Sequence, residues 1–374
     1  MAKNLFRSSQ FAIAIALITG MVGCQKAADK PAQSDLQEEF ATKSINPKDL
    51  KDFEQVNLLS DVAEYNPERI DPDMVNGWGI SFPASGPAWV STEGTGKSLV
   101  LNGNGSPVAI SPVTIPPAGP LPSSHPTGQV FNGTTDFKLP NGNPARFIFA
   151  TAEGGVSGWN GGATAVKKVD AFPNAAFLGI ALANDAGNNF LYVANFAQNK
   201  INVYDKDWAE VSKPFVDPDI PSGFAPFNIQ AIDNKLYVLY AKVDLADGHE
   251  DAVPGLGYVS VFNTDGSLIK RFISRGKLNA PWGIAKAPQG FWGDGSENTD
   301  VFLIGNFGDG HINAYDADGN FLGQLRQHGN PIVIEGLWAI AFAPPTSTAL
   351  NRNWLFFAAG PDDETHGLFG YIKK

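Results

Sequence analysis

The chain has one cysteine, Cys24, among its 374 residues, three methionines and five histidines. A single thiol forbids an internal disulfide, so the fold cannot depend on an oxidising compartment. His125, His249, His311 and His328 show no metal-ligand spacing, which argues against zinc. Charged residues make up only 17%, and the net charge is -11. An acidic surface argues against nucleic acid as a partner and against direct adhesion to anionic lipid. No long amphipathic helical pattern occurs beyond residue 53. The longest apolar run, residues 11–22, is too short to span a bilayer as a permanent helix. Nucleophile-elbow, phosphate-loop and haem motifs are absent as well.

Glycine and proline, by contrast, are plentiful at 40 and 27, as many turns require. They punctuate a module of roughly fifty residues that returns about six times. One copy runs Trp282-Gly283-Ile284-Ala285, then Val301-Phe302-Leu303-Ile304-Gly305-Asn306-Phe307, then His311-Ile312-Asn313-Ala314-Tyr315-Asp316. An earlier copy runs Leu178-Gly179-Ile180-Ala181, Leu191-Tyr192-Val193-Ala194-Asn195-Phe196 and Ile201-Asn202-Val203-Tyr204-Asp205. The first strand of each unit centres on Ile80, Val130, Ile180, Ile229, Ile284 and Ile340. The second is the most apolar, as in Leu236-Tyr237-Val238-Leu239, and suits a strand buried on both faces. After the third comes a turn such as Asn263-Thr264-Asp265-Gly266, where Asp-Gly supplies the positive φ of a tight hairpin.

One small antiparallel sheet per repeat implies an all-β, six-bladed β-propeller over residues 53–374. The last unit offers strands around Ile340, Phe356 and Phe369 and no fourth. Residues 55–60 form a strand with no unit of their own. They are expected to complete the last blade and so close the ring.

The first residues read as an address. Lys3 and Arg7 precede the apolar run, which ends Gly20-Met21-Val22-Gly23-Cys24. Gly23 before Cys24 resembles a bacterial lipobox, in which the thiol is acylated; Met21 stands where Leu is usual. Residues 1–23 are therefore expected to be a lipoprotein signal peptide, and residues 24–52 a lipidated Cys24 with a flexible tether. Gln25 implies the outer membrane of a Gram-negative bacterium. The membrane is then a partner through the Cys24 lipid, and a monomer is expected.

Residues Asn76-Gly77-Trp78-Gly79, Asn306-Phe307-Gly308-Asp309-Gly310-His311-Ile312-Asn313 and Gly336-Leu337-Trp338-Ala339-Ile340 resemble an uncharacterised bacterial β-propeller family of conserved hypothetical proteins. So do Leu355-Phe356-Phe357-Ala358-Ala359-Gly360-Pro361-Asp362-Asp363-Glu364 and His366-Gly367-Leu368-Phe369-Gly370-Tyr371. The resemblance covers about residues 53–372. It implies the propeller fold and export, and no established activity. The strand pattern is more distantly similar to NHL-repeat and gluconolactonase-like six-bladed propellers.

Candidate chemistry lies at strand ends. Asn195 and Asn306 occupy equivalent positions after the second strand, with Glu93 and Glu153 near the same place in the first two units. Asn76 and Asn228 sit near the start of the first strand. A ring of Asn76, Glu153, Asn195, Asn228 and Asn306 at one mouth would offer oxygen ligands to Ca²⁺. In gluconolactonase-like propellers such a ring holds a metal that polarises a lactone, which is what this resemblance implies. The same residue types also cap loops and satisfy backbone groups. The cluster Asp362-Asp363-Glu364-Thr365-His366 pairs carboxylates with an imidazole, as acid–base chemistry needs, and equally fits a solvated hairpin loop. Residues 294–300 resemble half a calcium loop, but Thr299 and Gly305 stand where Gly and an acid belong. Two function classes follow. One is a surface-anchored binding or scaffold propeller, holding a small molecule, glycan or protein at a mouth. The other is a calcium-assisted hydrolase of the lactonase type.

Overall fold

The computed structural model describes residues 49–293 and 300–374. The signal segment 1–23, Cys24, the connecting residues to 48 and positions 294–299 of the half-formed calcium loop lie outside the described residues. Among those described, no helix is long and apolar enough to cross a membrane.

Six sheets form the blades of a propeller; five are laid down strand by strand in chain order, and the sixth takes its outer strand from the N-terminal side of the chain. Their inner strands are Gly77–Ser81, Pro126–Phe131, Phe177–Asp185, Phe224–Ile232, Pro281–Lys286 and Leu337–Phe342. The second strands are the dry ones, as their composition requires. Ala88–Thr92 and Leu355–Ala359 are buried along their whole length, because each is covered on both faces by neighbouring blades. Between blades 4 and 5, for example, Leu239 and Val259 pack with Ile284, Phe302 and Ile304. The Asp265-Gly266 hairpin forms as read: Asn263 N–H donates to Ser267 O at 2.9 Å, and Gly266 has φ +91°.

The inner strands run side by side in register. A Cβ on Gly79 would lie 2.5 Å from Thr127 O, and one on Gly128 2.9 Å from Ile180 N. Glycine is what lets these backbones approach so closely. The same contacts correct the repeat in blade 2. Ile80 and Ile180 align with Gln129, which pairs with Phe149, and not with Val130. Gln129 is buried because its amide donates to Gly79 O at 2.7 Å and accepts from Ser98 Oγ at 3.2 Å.

The N-terminal strand closes the ring. Glu54–Ser60 pairs antiparallel with Leu368–Lys373, from Glu54 opposite Lys373 to Ser60 opposite Leu368, with a bulge between Asn57 and Leu59. Arg69–Ile70 adds a short parallel strand outside it. One boundary moves. Leu50, read from sequence as tether, is 3% exposed and packs in the same apolar cluster as Phe53, Phe291 and Trp292. Its carbonyl accepts Arg326 N–H at 2.9 Å. The packed unit therefore begins before residue 53.

Candidate functional site

All inner strands start at one mouth of the central channel and end at the other. The starting mouth carries most of the chemistry read from the sequence. Asn76 precedes its strand in a left-handed conformation, φ 47°, which asparagine tolerates. Its amide Nδ2 donates to Glu93 Oε2 at 3.1 Å and to Glu364 Oε2 at 2.6 Å, and its Oδ1 accepts Trp338 Nε1–H at 3.0 Å. Glu93 Oε1 in turn meets His125 Nδ1 at 2.5 Å. A polar chain thus links blades 6, 1 and 2. The bond to Glu93 holds His125 above its ordinary value, helped by the charge of Glu153 and opposed by burial. Burial raises Glu364, and Glu93 adds to this, while the Asn76 amide works the other way. Glu250, from the acidic insertion of blade 4, is pushed up to about 7, first by burial and then by Glu364 and Asp247.

The five side chains expected to form a calcium ring are not joined to one another. Glu153 accepts the backbone N–H groups of Ala118 and His125, both at 3.1 Å. Asn195 Oδ1 accepts Ala176 N–H and Gln198 N–H, and its Nδ2 donates to Gln198 and Asn202. Asn228 lies in mid-strand, not at a strand start. Its Nδ2 donates to Trp282 O at 2.6 Å, and its Oδ1 accepts Ile229 N–H at 2.8 Å. Asn306 Nδ2 donates to Lys277 O and Asp309 Oδ1; its Oδ1 is buried without a partner. Calcium needs six to eight oxygens free to turn toward it. Most of these oxygens instead accept N–H groups of their own blade edges, so the set does not fit the ion. Among the described residues, no group of three or more His, Cys, Asp or Glu is placed to hold a metal.

The Asp362–His366 cluster divides. His366 Nδ1 pairs with Asp61 Oδ2 of the N-terminal segment at 2.7 Å, while Asp362 is 4.0 Å from Nε2. Glu364 alone turns to Asn76. The acid–base grouping that the sequence suggested is thus distributed between ring closure and the mouth.

Beneath this mouth a cluster of aromatic rings occupies the channel. Trp78 and Trp338 stack at 3.6 Å between centroids, and Phe307 stacks on Trp338 at 4.0 Å. Trp282 meets both tryptophans edge-on, and Phe227 contacts Trp338 at 5.6 Å. Contacts between blades 4 and 6, and between 5 and 1, join blades that are not neighbours, so the rings meet across the bore.

Beyond these rings the channel opens at the second mouth into a cavity of about 1080 Å³. Inner-strand residues Ile80, Ile180, Ile284 and Ile340 line it, with Asn228, Gln230 and Phe342. At the rim stand Asp233, Lys286, Arg352 and Asn353. Lys286 Nζ holds Asp233 at 2.7 Å and Asp300 at 3.1 Å. Burial pulls this lysine down, and the two carboxylates outweigh it and hold it above the usual value. The sequence reading did not single out this cavity. Its signal was the run of isoleucines at first-strand centres, which reads equally as ordinary core.

No family model matches the chain. "Uncharacterized protein R648" of Acanthamoeba polyphaga mimivirus is 34% identical over 347 residues, covering 86% of this chain and 80% of the relative. "Uncharacterized protein L690" of the same virus is 34% identical over 341 residues, 86% of each. Among solved structures, a streptogramin B lyase is similar at 13% identity and TM-score 0.49, covering 86% of this chain and 97% of that one. A gluconolactonase from Xanthomonas campestris is similar at 13% identity and TM-score 0.47, covering 80% and 87%.

Proposed function

The chain belongs to the family of these two mimivirus proteins, and we propose that it is a binding propeller whose ligand is a small molecule held at the second mouth. The observation that carries this is the cavity of about 1080 Å³, which is at the upper end of the range typical of ligand pockets. Of the aromatic cluster, Trp282 reaches its lining, and the inner strands of several blades wall it. Among the described residues the inner strands are the edge strands of their sheets, and Gln129, Asn228 and Gln230 place side-chain amides along the cavity.

The test is saturable binding of a neutral fluorescent probe, N-phenyl-1-naphthylamine, to the purified chain and to Ala341→Trp. Ala341 lines the cavity and is only half-buried. Binding near one probe per chain that weakens at least tenfold in the variant is expected. Unsaturable binding, or equal affinity in both proteins, would refute the proposal.

Placement is the second part of the proposal. The basic start, apolar run and Gly23-Cys24 support a chain anchored in a cell envelope through lipid on Cys24, acting as a monomer. Against a calcium-assisted hydrolase, the side-chain oxygens of Glu153, Asn195 and Asn228 are spent on backbone N–H groups.

A further inference from the structure

The rim of the cavity holds three charged side chains, and they are unequal in their partners. Lys286 is matched by Asp233 and Asp300. Arg352 has no carboxylate within ion-pair distance among the described residues. Its single bond runs from Nη1 to Pro345 O at 3.3 Å, and the side chain is exposed. An arginine left with one neutral, long contact keeps most of its five donors for something else.

Its surroundings sharpen the point. The chain carries -11 overall, and acids gather at the opposite mouth: Glu93, Glu153, Glu250 and Glu364. Among the described residues the guanidinium at the cavity rim therefore sets unpaired positive charge beside this cavity in a molecule that is acidic overall. Asn353 beside it presents its amide to Gly290, close enough that a Cβ there would meet it at 2.4 Å. Deeper in, isoleucines and Phe342 offer apolar walls.

We infer that the cavity takes an organic anion, with an apolar body against the inner strands and a carboxylate or sulfonate paired with Arg352. Guanidinium binds such planar or trigonal oxyanions through parallel N–H donors, and more strongly than neutral partners do. This inference rests on the cavity being a binding site, as proposed above.

Two probes of similar apolar shape separate the claims: 8-anilinonaphthalene-1-sulfonate, which is anionic, and N-phenyl-1-naphthylamine, which is neutral. Each should displace the other from the wild-type chain. Arg352→Gln should weaken the anionic probe about tenfold or more and leave the neutral probe within about twofold. Arg352→Lys should recover part of the loss, and added salt should weaken the anionic probe alone. The neutral probe guards against a structural effect, since a distorted cavity would lose both probes alike. Unchanged affinity of Arg352→Gln for the anionic probe, or equal loss of both, overturns the inference while leaving the cavity reading in place. A wild-type chain that binds neither probe removes both.

Discussion

His366 Nδ1 lies 2.7 Å from Asp61 Oδ2, and the backbone N–H of Gly367 donates to the other oxygen of the same carboxylate at 2.9 Å. The last hairpin of the chain is thereby clasped to the segment that follows its first described strand. Tyr65 adds an edge-on ring contact to the imidazole at 6.2 Å.

This clasp should make ring closure sensitive to pH. The bond to Asp61 raises the His366 pKa above 6.5, with Glu64 and Asp362 adding charge and burial opposing. A raised folded value stabilises the protein in full below the unfolded value, and that contribution fades as pH rises through the folded value. The difference in Tm between the wild type and His366→Gln should be largest near pH 6 and should shrink by pH 9. A difference that grows with pH would contradict this assignment.

Closure by Glu54–Ser60 gives a truncation test. A chain beginning at residue 48 should melt as the full chain does. One beginning at residue 61 leaves the Leu368–Lys373 edge unpaired and should aggregate. Within the retained segment, Phe53 stacks on Phe291 at 4.9 Å and is 2% exposed. Phe53→Ala should cost about 3–5 kcal/mol, as buried aromatic truncations do, measured by chemical denaturation.

An ion pair between buried Asp217 and half-buried Arg271 holds blade 4. Arg271 Nε and Nη2 donate to the two oxygens of Asp217 at 2.6 and 2.7 Å, and Ser260 Oγ donates at 2.6 Å. Burial is the largest influence on Asp217 and pushes its pKa up, but Arg271, Ser260 and the Asp219 N–H together hold it below the usual value. Its contribution is present above the unfolded value of about 3.9 and is lost as pH falls through the folded value. Asp217→Asn should cost about 1.5–3 kcal/mol near neutral pH, with the gap narrowing below about pH 4. Denaturation at pH 7 and pH 3.5 reads both effects.

Lipidation has a direct readout. Labelled palmitate should enter cells expressing the wild-type chain and appear on it, and should not appear on Cys24→Ser. Equal labelling of the two would remove the anchor from the proposal.

The blades were legible because their signals are local. Apolar second strands, Asp-Gly hairpins and the spare strand near residue 55 each state their role within a few residues. Gln129 hid its register because an amide stands where the five other blades use isoleucine, and its partners, Gly79 and Ser98, come from the adjacent blade. The limit of the packed unit was missed for a similar reason: Leu50 is one apolar side chain in a polar stretch, and its pocket is made by Phe291 and Trp292. Site chemistry was least legible. Asn76 was singled out, yet its partner Glu364 lies 288 positions away. Asn195 and Glu153 look like ligands by position, and only their hydrogen bonds reveal loop caps. Arg352 belongs to no motif, and only the structure shows that no described carboxylate lies within ion-pair distance of it.

The stacked rings of Trp78, Trp338 and Phe307 turn the bore into a cup. A guest of the second mouth would then leave as it entered, past the rim where Arg352 stands. The cross-bore ring contacts stand in the way of any transfer from that cavity to the acidic mouth. Chemistry at the two ends would proceed as two separate rooms, and a change that blocks one should leave the traffic of the other untouched.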